Sequence, residues 1–189
     1  MRKQIALIML LVFLALPALL FAQTQPPRVG AALPDLKIQK PADSAGLKYL
    51  GLSGSGTFAV DQVRAQALII QIFSLYCPYC QKDAPNMNRF FGLIEGNPRL
   101  RGKIKILGIG AGNTQFEVNT FKKKYKVEFA LVPDGDFKIH KIIGEVRTPY
   151  FIIVKLDGPK KREVVYSRLG VHEDVEAFLA ETVRLTGIQ

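Results

Sequence analysis

Cysteine is almost missing from this chain: two of 189 residues, with no tryptophan and only two histidines. Each scarcity excludes something. Two cysteines cannot build the scattered disulfide framework of a small secreted domain, and no second pair exists to complete a four-ligand zinc site. None lies near the N-terminal boundary described below, so lipid attachment at a cysteine there is excluded. No internal repeat is present. Acidic residues are also few, 16 against 26 Lys and Arg, for a formal charge of +10. Much of the excess sits at Lys122, Lys123, Lys124 and Lys126, and at Lys160, Lys161 and Arg162. No aromatic interleaving or binding motif accompanies these lysines, so they read as a solvated helix face and a turn rather than a nucleic-acid footprint.

What is there is concentrated. Both cysteines fall in one unit, Cys77-Pro78-Tyr79-Cys80. Two cysteines placed at random would stand three apart roughly 1% of the time. On the first turn of a helix, i and i+3 side chains are neighbours, close enough for a reversible disulfide. A bridge closing so short a loop constrains the unfolded chain least, so the pair is poorly placed for structure and well placed for two-electron chemistry.

The compartment is suggested by the N-terminus. Basic Arg2 and Lys3 precede an apolar run over 5–21 broken only by Pro17, then Ala22 and a polar, Pro-rich stretch. That is the order of a secretory signal over 1–22, with an uncleaved membrane anchor as the competing reading. Either way the folded part is expected outside the cytoplasm, where disulfides persist, in a bacterial periplasm. Residues 23–34 read as a linker and 35–189 as one domain.

Along that domain, 35–66 carries short apolar runs broken by Gly and Ser and suggests a β-hairpin or irregular strands. The apolar, β-branched run 67–73 predicts a buried central strand. From Cys77 the pattern turns helical, with Pro78 suited to a first helical position and Gly96, Asn97 and Pro98 stopping the run. A strand over 104–109, a helix over 114–126, a strand over 128–132 and a short helix over 137–143 follow. Thr148-Pro149 then precedes a hairpin of strands 150–156 and 163–168 turning at Asp157-Gly158, and a helix over 172–186 closes the chain. The alternation predicts an α/β fold with a central mixed β-sheet flanked by helices.

A strand running into Cys-x-x-Cys at a helix N-terminus is the redox arrangement of a thioredoxin-like fold. Cys77 would face unpaired N–H groups and the positive end of the helix dipole. Lowering a thiol from about 8.5 to about 7 corresponds to roughly 2 kcal/mol of thiolate stabilisation. Cys77 is therefore the expected nucleophile, and the more enclosed Cys80 the resolving thiol.

These residues resemble the TlpA-like (ResA-like) thiol–disulfide oxidoreductases of the thioredoxin-like superfamily. Phe73-Ser74-Leu75-Tyr76-Cys77-Pro78-Tyr79-Cys80 is similar to that family's Phe-Trp-Ala-x-Trp-Cys-x-x-Cys signature. Pro85 matches the proline that kinks the active-site helix, and 146–151 resembles the cis-proline segment. Asp134 and Asp157-Gly158 fall where family members usually carry an Asp and an Asp-Gly turn. The likeness spans roughly 29–185. It implies an N-terminal β extension and a TlpA-type insertion between the first helix and the cis-proline. It also implies that Pro149 is cis, packed against the cysteines, and that Thr148 offers its backbone to an extended substrate, its hydroxyl reaching the Cys77 sulfur. Tyr76, Pro78 and Tyr79 would complete the substrate-contacting set.

Three departures stand out. Tyr76 replaces the usual Trp, and Gln71 stands where thioredoxin has a buried Asp that can accept the resolving thiol's proton. Asp83 stands where TlpA-like chains commonly carry Glu. It shares a helix face with Cys80, which suits an acid/base, and it also suits an exposed first-turn residue favoured by the dipole.

The resemblance implies an enzyme without cofactor or metal, reducing exported thiol proteins such as cytochrome c apoproteins and recharged by a membrane electron donor. Association with the membrane itself would be transient, and would arise only if the N-terminal segment stays uncleaved. The Cys-Pro-Tyr-Cys dipeptide is that of glutaredoxins, near −200 to −230 mV, which suits neither a strong oxidant nor a strong reductant. Two rivals remain. A peroxiredoxin-like peroxidase needs a Pro-x-x-x-Thr/Ser-x-x-Cys pattern, of which only Ser74 is present. Copper binding by the two thiols would need His140 as third ligand.

Overall fold

The computed structural model describes residues 25–157 and 161–188. The signal or anchor expected over 1–22 lies outside the described residues, as does Gly158 of the expected turn. In chain order the elements are β1 (Ile38–Gln39), α1 (Ser44–Leu50), β2 (Thr57–Phe58), a 3-10 turn (Val60–Gln62), β3 (Ala67–Phe73) and α2 (Pro78–Gly96). They continue with β4 (Ile104–Ala111), α3 (Gln115–Tyr125), β5 (Ala130–Asp134), α4 (Lys138–Ile142), β6 (Tyr150–Lys155), β7 (Glu163–Leu169) and α5 (Val175–Thr186).

Strands β3 to β7 form one mixed sheet in the order β5-β4-β3-β6-β7. β3, β4 and β5 run parallel, joined by the crossover helices α2 and α3, while β6 pairs antiparallel with β3 and β7 antiparallel with β6. Every residue of β3 is buried, as its unbroken apolar run requires of a strand covered on both faces. Alternation sends Leu68, Ile70 and Ile72 toward α1 and α4, and Ala67, Ile69 and Phe73 toward α2, α3 and α5. This is the α/β, thioredoxin-like architecture expected.

The helices begin where side chains can take up free N–H groups. Thr114 and Glu117 form a reciprocal capping box at α3, with Glu117 Oε2 accepting from the Thr114 N–H at 2.7 Å. Lys122, Lys123 and Lys124 fill its last turn, favourable to the helix dipole. Lys122 is not simply solvated: its Nζ lies 3.0 Å from Asp43 Oδ2, tying α3 to the start of α1.

Several boundaries differ from expectation. The 35–66 segment does contain an antiparallel pair, Ile38 opposite Phe58, but its strands are two residues long and α1 lies between them. That helix was signalled by Asp43, whose Oδ1 accepts from the Gly46 N–H at 2.6 Å, and by Gly51 in the left-handed region at φ 72°. β5 starts at Ala130 and runs through Pro133, tolerable because β5 is an edge strand. α5 starts at Val175, where the Asp174 carboxylate accepts from the Ala177 N–H at 2.8 Å, and not at His172. Part of the expected linker is docked: Gly30 and Leu33 donate to Val164 and Arg162 carbonyls at 2.8 Å, and Leu33 is buried.

Candidate active site

The fully buried β3 ends at Phe73 and delivers Ser74, Leu75 and Tyr76 to the sheet's C-terminal edge, where α2 begins. Asn113, itself buried at the end of β4, holds this turn. Its Oδ1 accepts from the Leu75 N–H at 2.8 Å and its Nδ2 donates to Ser74 Oγ at 3.3 Å. Gln81 Nε2 donates to the Leu75 carbonyl at 2.7 Å from the other side. Nothing in the linear pattern singled out Asn113, since its partners stand 38 and 39 residues away.

Cys77 occupies the N-cap of α2 and Pro78 its first turn. The Cys77 sulfur does what an N-cap oxygen does elsewhere, accepting from the Cys80 N–H at 3.2 Å. That donor and the N-terminus of a 19-residue helix face the sulfur. As a thiol it donates to the Thr148 carbonyl at 3.3 Å. The Thr148–Pro149 bond is cis, and the buried Pro149 accepts from the Gly170 N–H at 3.0 Å through its carbonyl. Thr148 thus meets Cys77 through its backbone, where its hydroxyl had been expected. Its side chain instead acts on Cys80.

Cys80 is 0% exposed, and both thiols are free. Burial pushes its thiol far up, followed by the hydrogen bond with Cys77. Cys77 is half-buried and Cys80 enclosed, so the two thiols differ in access.

Asp83 is the clearest correction. It lies in the second turn of α2, is 1% exposed, and is no solvent-facing first-turn acid. Its Oδ1 accepts from Asn86 Nδ2 at 3.2 Å and from the His172 N–H at 3.3 Å. Its Oδ2 has no hydrogen-bond partner. Burial pushes the carboxyl up, against these two donors. What covers it is the segment before α5, which the sequence placed inside the helix. There His172 stacks on Phe178 with ring centroids 3.5 Å apart and meets Phe151 edge-on. Its Nε2 is buried without a partner, and burial lowers its pKa to about 4.

The remaining residues surround this centre. Tyr76 and Tyr79 are each 68% exposed, and Tyr76 donates its hydroxyl proton to Glu117 of the α3 capping box. Gln71 is buried at the middle of β3, opposite Phe151. Pro85 lies inside α2 and leaves one backbone acceptor without its helical partner. Asp134 is buried and caps α4, its two oxygens accepting from the Ile139 and His140 N–H groups at 3.0 and 2.9 Å. His140 Nε2 sits 2.8 Å from the Val146 carbonyl, so that nitrogen carries a proton and braces the cis-proline loop. Among the described residues no group of three or more His, Cys, Asp or Glu is placed to hold a metal ion.

Comparison with known proteins agrees with this geometry. No family model matches the chain. It is 21% identical over 120 residues to the thiol-disulfide oxidoreductase ResA of Halalkalibacterium halodurans, a match covering 62% of this chain. The chain spans 63% of the length of that curated relative. A putative thiol:disulfide interchange protein DsbE from Chlorobium tepidum superposes with a TM-score of 0.64 at 14% identity, covering 85% of this chain and 99% of the other. A secreted Mycobacterium tuberculosis disulfide oxidoreductase gives 0.53 at 15% identity, covering 69% and 90%. Sequence and fold point the same way: the chain has a thioredoxin-like fold and is similar to ResA- and DsbE-type thiol–disulfide oxidoreductases.

Proposed function

We propose that the chain is an exported thiol–disulfide oxidoreductase that acts as a protein disulfide reductase. One observation carries this: a sulfur at a helix N-cap, facing a backbone carbonyl at the cis-proline, with a second, buried thiol one turn behind it. In the reductive direction the Cys77 thiolate attacks a substrate disulfide. The Cys77–substrate bond forms, the substrate S–S bond breaks, and the released thiolate takes up a proton. Cys80 then loses its proton and attacks the Cys77 sulfur, forming the Cys77–Cys80 disulfide and releasing the second substrate thiol. Two electrons pass to the substrate, and a dithiol donor protein restores the pair.

Cys80 needs help in the second step, because its buried thiol ionises reluctantly. Asp83 supplies it in this reading. It follows Cys80 by three on one helix face and keeps an oxygen free of other bonds. Tyr76, Pro78, Tyr79 and Thr148 border the approach of the substrate, with Pro149 beneath. The basic start and apolar run of the N-terminus support a periplasmic location, and the name of the secreted Mycobacterium relative is in keeping with it. Exported thiol proteins, cytochrome c apoproteins among them, are the substrates this assigns, with a membrane protein as electron donor.

Trapping tests the reading. Cys80→Ser should accumulate mixed disulfides through Cys77, identified by mass spectrometry, and Cys77→Ser should accumulate none. Absence of adducts, together with a wild-type pair that fails to exchange with glutathione or dithiothreitol, would overturn it.

A further inference from the structure

Of the seven large apolar side chains exposed among the described residues, four gather around Cys77 and Thr148: Tyr76, Tyr79, Phe137 and Leu169. They line two grooves on either side of the Arg147–Thr148 backbone. One, of about 390 Å³, lies between Tyr79, Pro149 and Leu169. The other, of about 470 Å³, opens between Tyr76, Cys77 and Phe137. Arg147 borders both grooves, is exposed, and makes no ion pair among the described residues.

The surrounding charges leave that guanidinium available. Glu117 is engaged by Tyr76 and its capping box, and Glu173 by Lys82 at 3.7 Å. Glu145, two residues before Arg147, is exposed and forms no ion pair with it. A second cation, Arg168, precedes Leu169 and lies over the Tyr166 ring at 5.4 Å. A cluster of exposed apolar groups with a charged rim marks an interaction surface. Its position across the attacking sulfur says what lies there: an extended segment whose cysteine sits at Cys77 and whose neighbours, about 3.3 Å apart along the strand, enter the two grooves.

We propose that this surface selects substrate cysteines flanked by an apolar residue and a carboxylate, with Tyr79 and Leu169 receiving the apolar side chain and Arg147 the acid. It rests on the oxidoreductase reading above and adds the substrate's local chemistry. Arg147 is a specificity-determining residue, and its partner is acidic because the rim offers an exposed guanidinium without an ion pair on the residue before Thr148, whose carbonyl the reacting sulfur meets.

The test uses three peptides, each with one cysteine carried as a mixed disulfide with thionitrobenzoate: Leu-Cys-Glu, Leu-Cys-Lys and Ser-Cys-Ser cores. Attack of Cys77 on the peptide sulfur forms the Cys77–peptide disulfide and expels the low-pKa thionitrobenzoate, whose absorbance reports the rate. In the wild-type protein the acidic core should react about tenfold faster than the lysine core, equivalent to about 1.4 kcal/mol. The ratio should shrink in high salt. Arg147→Glu should reverse it, and Leu169→Ser should slow the Leu cores against the Ser core.

A wild-type ratio within twofold, or one unchanged by Arg147→Glu, overturns the proposal. Hydroxyethyl disulfide, small and uncharged, separates the two readings: loss of exchange with it removes the oxidoreductase reading. Fluorescence anisotropy with serine in place of the peptide cysteine then decides the surface alone. Tighter binding of the acidic core sustains it, and equal binding overturns it.

Discussion

Two buried aspartates, one on each side of the central sheet, are built to different rules. Asp134 ends β5 on the side of α4, and both its oxygens accept backbone N–H groups, at 3.0 and 2.9 Å. Asp83 lies on the α2 side, with one oxygen sharing two long bonds and the other bonded to nothing. The first is an acceptor consumed by a helix start. The second is a carboxyl placed in an apolar setting with capacity to spare, and burial pushes it up. A buried acid that is fully satisfied holds structure; one left half satisfied, three residues after Cys80 on the same helix, has the spare capacity that the proposed proton transfer would use.

Substituting each tests that contrast. Asp83→Asn should slow resolution of the Cys77 mixed disulfide about a hundredfold at pH 7, the lower end of what a positioned acid–base group contributes. Single-turnover release of substrate thiol measures it, and a loss under threefold would remove Asp83 from the mechanism. The same variant should be more stable than wild type at neutral pH. A carboxyl raised in the folded state binds its proton more tightly there, so the stability it contributes at low pH is lost as pH rises through the folded value. An amide has no charge to bury. Asp134→Ala should do the reverse: leaving the Ile139 and His140 N–H groups without acceptors costs about 2–3 kcal/mol in urea unfolding, while the pH profile of exchange keeps its shape.

The same two residues show how far the sequence could be read. The apolar run of β3, the Cys-x-x-Cys at a helix start, and the helix expected over 114–126 are local signals, and each lies where its pattern placed it to within a residue. The Asp83 environment is not local. An acid soon after a helix start is ordinarily solvated and favoured by the dipole. The segment before α5, 89 residues away, reaches this one through the His172 N–H. The apolar periodicity of the last helix was extended back through His172, which hid the segment responsible. Asn113 was missed for the same reason, its role depending on β4 ending beside β3. In α1 the failure was different: the Asp43 cap and the Gly51 stop were present, but Gly46 and the neighbouring glycines and serines weighed toward turns.

His172 sharpens the contrast further, with the smallest of these effects. It sits over Asp83 on the α2 side, and its unpartnered Nε2 and stacked ring favour the neutral imidazole. Burial, with a smaller contribution from Arg168, lowers its pKa from 6.5 to about 4. Between those values the unfolded chain binds a proton that the folded chain does not. Stability is therefore fully present above about pH 6.5 and falls as the pH drops toward 4. The loss is up to about 2 kcal/mol, allowing for solvent screening of a ring that is not wholly enclosed. His172→Phe keeps the ring stack and the backbone N–H that Asp83 accepts, and removes only the titration. Thermal unfolding from pH 4 to 7 should then lose this part of its acid sensitivity, while exchange at pH 7 stays dependent on Asp83. An unchanged acid slope in His172→Phe would assign the sensitivity elsewhere; a collapse of exchange at pH 7 would mean that the imidazole, and not only its backbone, sets the state of the carboxyl beneath it.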